Sequence, residues 1–157
     1  MISKELNIGR AGEYIALADI LLQGYQSFDS AQGVNYDLVL DLNGRLIKVQ
    51  VKTTSKIKQW DPKIYSQKTN PTYHFHIRRA GKGNKRVYGE DEFDLYALVM
   101  LDIKHVSYIL NKDIPQSSIT LRDKNIKYAN EGGSKGKSLY YQDLTLEKAL
   151  NKLLCQK

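Results

Sequence analysis

Apolar and polar positions along the chain fall into two distinct periods. Residues Ala11 to Leu22, AGEYIALADILL, are apolar nearly all round, and Ala11, Tyr14, Ile15, Ala18, Leu21 and Leu22 recur at helical spacing. This predicts a helix from about Ser3 to Gln23, ended by Gly24. From Tyr36 to Lys56 the pattern switches to alternation around Asn43-Gly44, a pair that tolerates the positive φ angles of a type I′ turn, so strands are expected at about 36–42 and 45–54. A two-residue loop sets Leu42 opposite Arg45, Asp41 opposite Leu46, Val39 opposite Lys48 and Asp37 opposite Gln50. One face then carries Leu38, Leu40, Leu42, Ile47, Val49 and Val51; the other carries Asp37, Val39, Asp41, Lys48, Gln50 and Lys52.

Farther along, a strand is expected near Tyr73 to Arg79, a turn from Gly81 to Lys85, and two buried strands in Phe93 to Asp102 and His105 to Asn111. SSITLR reads as a short extended piece and NEGGSKGKS as a loop. Thr145 caps a C-terminal helix whose stripe is Leu146, Ala149, Leu150, Leu153 and Leu154. Together these elements predict one α/β domain over residues 1–157, with a sheet of about five strands flanked by an N-terminal and a C-terminal helix.

Charge sharpens the picture. The chain has 24 Lys and Arg against 17 Asp and Glu, a net +7, which favours a polyanionic partner, nucleic acid ahead of an anionic membrane surface. Much of the excess lies in a segment at about 55–90, where Lys56, Lys58, Arg78, Arg79, Lys82, Lys85 and Arg86 are interspersed with aromatics such as Trp60; these eight are the candidate DNA-binding residues. No run approaches the ~20 apolar residues of a spanning helix, and MISKELNIGR lacks the pattern of a signal peptide, so an intracellular, cytoplasmic protein with no membrane partner is expected. Cys155, the one cysteine, has no disulfide partner and is expected as a small buried apolar residue. His74 and His76 would need further ligands to hold zinc, so phosphate contact or exposure is expected of them.

Within Ala11 to Leu22 only Glu13 and Asp19 are charged, and a carboxylate on so apolar a helix needs a reason. For Asp19 that reason is expected to be a cap or a surface cation; for Glu13, chemistry. A helical glutamate, then Asp37, then Gln50-Val51-Lys52 on the neighbouring strand resembles the PD-(D/E)XK nuclease superfamily. The likeness is to the branch containing the intron-encoded homing endonuclease of cyanobacterial tRNA introns, in which QXK replaces (D/E)XK. It implies a restriction-endonuclease-like core with a mixed sheet, and Glu13, Asp37, Gln50 and Lys52 as catalytic residues.

The resemblance further implies Mg2+, with Mn2+ as the alternative, held by Asp37, the Gln50 side-chain carbonyl and the Val51 backbone carbonyl. Glu13 would serve a second ion or its water. Such hard oxygen donors suit a hard cation, while Lys52 would orient water or offset charge on the phosphate. The implied function is sequence-specific cleavage of double-stranded DNA by a homing endonuclease. A Holliday junction resolvase is the alternative within the enzyme class, and a catalytically inactive DNA-binding module or an RNA-binding regulator are those outside it. Cutting both strands needs two sites about a dyad; the resemblance implies a tetramer rather than a dimer, with the C-terminal helix and the YILN strand as candidate interfaces.

Overall fold

A computed structural model describes residues 3–59, 71–77, 88–114, 118–128 and 138–155. Helix α1 spans Lys4–Leu22, with the Ser3 hydroxyl accepting the Leu6 N–H at 3.3 Å. It ends at Gly24, whose φ of 89° is open to glycine at no steric cost. Strands β1 (Gln26–Asp29), β2 (Leu38–Leu42) and β3 (Arg45–Thr54) follow as an antiparallel meander. Asn43 and Gly44 take φ of 53° and 88°, as the type I′ turn requires, and Asp41 closes the turn by accepting the Gly44 N–H at 2.6 Å. The hairpin register pairs Leu42 with Arg45, Asp41 with Leu46 and Val39 with Lys48, as the alternation predicts.

The chain continues through β4 (Tyr73–His76), β5 (Leu95–Met100), β6 (His105–Leu110), β7 (Ser118–Arg122) and β8 (Leu139–Tyr140) to helix α2 (Leu146–Leu154), capped by Thr145. The main sheet has the order β1-β2-β3-β5-β6, and only its β3–β5 pair is parallel, so the sheet is mixed and five-stranded. Its membership differs from the expected one. β1 enters although QSFD shows no apolar alternation, and the strand near Tyr73 joins SITLR in a second sheet, β4-β7-β8.

Core packing divides at the main sheet. On one side Ala16 and Ile20 of α1 and Leu146, Ala149 and Leu150 of α2 meet Leu38, Leu40, Ile47, Val49 and Val51, the face that alternation assigned to the core. On the other, Tyr96, Leu98, Met100 and Ile109 meet Tyr73, Phe75, Ile119 and Leu121 of the second sheet. All six residues of β5 are buried, which is why LYALVM shows a continuous apolar run.

Several side chains stand elsewhere than expected. Cys155 is exposed, because it follows α2 beyond the last stripe residue to be buried. Among the described residues Asp19 pairs with no cation; it accepts hydrogen bonds from Tyr108 Oη at 2.6 Å and Gln23 Nε2 at 2.7 Å, giving a buried phenol its acceptor. The C-terminal helix and the YILN strand, proposed as interfaces, spend Leu146, Ala149, Leu150, Tyr108 and Leu110 on the protomer's own core.

Candidate active site

Asp37 lies one residue before β2, where the chain turns in from the loop after β1. Its backbone N–H donates to Val49 O at 2.9 Å, and its carbonyl accepts from Ser30 N–H at 2.9 Å, so the residue is held from both sides. The carboxylate Oδ2 accepts the Val51 N–H at 2.7 Å and also the Gln50 side-chain N–H. The ladder pairing of β2 with β3 ends at Leu38 opposite Val49, and Asp37, a bend just before β2 whose N–H is tied to Val49 O, reaches Gln50 and Val51 through its side chain. Both hydrogen bonds fall on Oδ2, leaving Oδ1 as the atom that would take a cation.

Gln50 is 8% exposed, and its amide nitrogen, 3.4 Å from Val51 O as well, faces the acid. An amide oxygen turned the same way would confront a carboxylate oxygen with no proton between them. A role for the Gln50 carbonyl as a ligand therefore requires the amide to turn over. Lys52 is two residues on, paired in register with Leu98 while Gln50 pairs with Tyr96, and its Nζ donates to Tyr88 Oη at 3.1 Å. The Tyr88 ring is itself fixed by edge-to-face contacts with Phe93 at 5.1 Å and Tyr96 at 6.4 Å.

Glu13 comes from α1. Gly12 lets the helix lie directly on β3: a Cβ there would stand 1.9 Å from Thr53 Oγ1. Glu13 pairs with Arg10, whose other nitrogen lies 3.5 Å from Asp29 Oδ2 at the end of β1. With Arg10 exposed to solvent screening the pair is weak, so Glu13 can exchange it for another cation. Burial pushes the Asp37 carboxyl above its ordinary range; the Val51 N–H pulls it down, Glu13 raises it further, and Lys52 and the Gln50 amide oppose the rise. The charges of Glu13, Asp37 and Lys52 thus bear on one locus, with Gln50 and Val51 in hydrogen-bond contact at its centre.

Among the described residues no three of His, Cys, Asp and Glu converge in a metal-binding cluster. One carboxylate, a second within electrostatic reach, and the neutral oxygens of Gln50 and Val51 make an oxygen-rich site of low charge, which fits a hard cation and none of the sulfur- or imidazole-seeking ones.

Lys56 and Lys58 line a groove of about 500 Å³ that also contains Lys52. Trp60, Arg78, Arg79, Lys82, Lys85 and Arg86 lie outside the described residues. Three contributors escaped the sequence reading: Arg10, Gly12 and Tyr88. Arg10 could have been found, since it sits one helical turn before Glu13; Tyr88 stands 36 positions from Lys52 with no periodic link.

A comparison with curated proteins finds no match. Among solved structures the chain is similar to the bacterial homing endonuclease I-Ssp6803I, with a TM-score of 0.68, 20% identity, and coverage of 99% of this chain and 98% of that one. At that identity the likeness shows the fold, a restriction-endonuclease-like one. A family model described as PD-(D/E)XK endonuclease matches residues 3–133. Most of the sequence, including every residue of the Glu13, Asp37, Gln50 and Lys52 locus, falls within that match, and the chain belongs to the PD-(D/E)XK endonuclease family.

Proposed function

We propose that this protein is a metal-dependent, sequence-specific endonuclease of double-stranded DNA, of the homing type. The observation that carries the reading is the contact of Asp37 with Gln50 and Val51, with Lys52 on the same strand face opening into a basic groove. Asp37 Oδ1, the Gln50 and Val51 carbonyls and Glu13 would hold Mg2+ or Mn2+. A divalent cation so held would supply Lewis-acid polarisation of the phosphate and a lower pKa for the attacking water.

The chain's own groups account for the rest. Tyr88 holds the Lys52 ammonium at a fixed height above β3, so that its charge meets the negative charge developing on the phosphate without having to be reorganised. Arg10 keeps Glu13 at the edge of the site until another cation replaces it. The basic excess of the chain supplies the sequence-independent part of DNA affinity. Since each chain carries one such locus, cleavage of both strands implies an assembly of at least two chains, and we favour the tetramer.

The test is cleavage of a randomised duplex library with Mg2+ or Mn2+, followed by sequencing of the ends. The expected result is discrete cuts within a consensus, lost by about 10³-fold or more in Lys52→Ala with DNA affinity retained. Cutting confined to four-way junctions regardless of sequence, or binding without any metal-dependent cutting, would refute the reading.

A further inference from the structure

The groove beside Lys52 carries chemistry that cleavage does not use. It is walled by the first turns of α1, where Glu5 faces in, by the end of β3 with Lys56 and Lys58 beyond it, and by His74, Phe75 and His76 of β4. His74 and His76 are two residues apart on a strand and share a face, their rings edge to face with centroids 4.7 Å apart. From β7, Thr120 stands opposite His74 and Ser118 opposite His76, neither of them titratable, and Thr120 Oγ1 lies 3.4 Å from His74 Nδ1.

Two imidazoles this close could serve a cation or an anion, and the surrounding charge decides between them. Among the described residues, three ammonium groups, those of Lys52, Lys56 and Lys58, line the groove against the one carboxylate of Glu5. A metal ion would add positive charge to a groove that already has an excess; a phosphodiester would offset it. We propose that His74, His76 and Lys58 form a subsite for a DNA backbone phosphate flanking the cleavage locus, and that this subsite tightens as pH falls. This rests on the DNA-cleaving reading of the neighbouring site. Burial, His76 and Lys58 together lower the His74 pKa, so the groove holds a neutral His74 at physiological pH and gains a charge on mild acidification, which a bound phosphate would favour.

The experiment is fluorescence-anisotropy titration of a labelled duplex in EDTA at constant ionic strength, between about pH 5.5 and pH 8. Carboxylates also lie near the groove, so the diagnostic quantity is the difference between proteins. Wild-type affinity should rise by about tenfold toward the acid end, with a salt slope steeper by about one to two. In the doubly substituted His74→Gln, His76→Gln protein, checked for folding by its thermal melt, most of that rise should vanish. His76→Gln alone, at an exposed position, should remove part of it. Lys58→Gln should weaken binding across the whole range and lower the salt slope by about one, whereas Glu5→Gln should strengthen it, a gain that damage to the fold would not produce. A double variant that keeps the wild-type pH profile, or a Lys58→Gln protein with unaltered affinity, overturns the subsite and leaves the nuclease reading standing. Absence of DNA binding at every pH overturns both.

Discussion

Asp37 is under opposing demands that its neighbours do not fully reconcile. Burial and Glu13 raise its carboxyl above the ordinary range, so the folded protein binds that proton more tightly than the unfolded chain does. The sign follows: in metal-free buffer, stability is lowest above the raised pKa, where a buried charge must be carried, and increases as pH falls through it toward the ordinary carboxylate range. Asp37→Asn should flatten that dependence and raise the metal-free melting temperature at neutral pH, while abolishing cleavage; melts in EDTA across pH, paired with cleavage assays, check both. Wild-type cleavage should fall as pH drops through the same raised value, because a proton competes with the cation for the carboxylate. Tyr88 makes a different prediction. Tyr88→Phe keeps the ring packed on Phe93 and Tyr96 but removes the oxygen 3.1 Å from Lys52 Nζ. Cleavage should slow by about tenfold with a shifted pH profile, DNA affinity staying within about twofold; a profile identical to wild type would leave Tyr88 only a packing role.

At the scale of elements, the site depends on how closely α1 lies on β3. The helix buries only Gly12, Ala16 and Ile20, a stripe of mostly small residues spaced four apart, and leaves Tyr14, Leu21 and Leu22 exposed. The nearly all-round apolar run therefore does not mark an all-round buried helix. Gly12→Ala would drive a methyl into Thr53, which β3 holds in place through its parallel pairing with β5, Thr53 opposite Val99. We expect a loss of about 1–3 kcal/mol and a drop in cleavage, since Glu13 moves with the helix; Thr53→Ala in the same protein should recover part of both. Denaturant titration and activity of the single and double variants measure the coupling. Among the strands, β3 was legible because alternation and the Asn-Gly turn agree, and β5 because both its faces are covered. β1 was not, since only Ser27 of QSFD is buried and its pairing to β2 comes from the partner's edge.

For the whole molecule, the net charge of +7 and the one candidate locus found among the described residues set the expectations. Tyr14 and Leu21, one heptad apart on the exposed side of α1, are apolar surface of the kind that subunit contacts cover. Beside the C-terminal helix and the YILN strand, which bury part of their apolar residues in the protomer core, we propose that face as a further candidate interface. Light scattering should return a multiple of the 18.0 kDa chain, and dilution below the assembly's dissociation range should convert double-strand cuts into nicks. A monomer that cuts both strands at every dilution would contradict the assembly. Added salt should weaken DNA binding steeply in either state, as counterion release demands.

The residue pattern alone determined the hairpin register from Leu42 opposite Arg45 to Leu38 opposite Val49, the two capped helices and the net basic charge. Each of these is a local property: a two-residue turn and a period of two leave no freedom in which side chains oppose one another. Tertiary structure decided what joins distant segments. It placed Tyr88 against Lys52, closed α1 onto β3 through Gly12, gave Asp19 to Tyr108, and moved β4 into a second sheet where its histidines face the lysines after β3. None of those pairings has a sequence period, because their distances are set by how whole elements bury their apolar faces, and the polar groups at the margins take whichever partners that packing brings within reach.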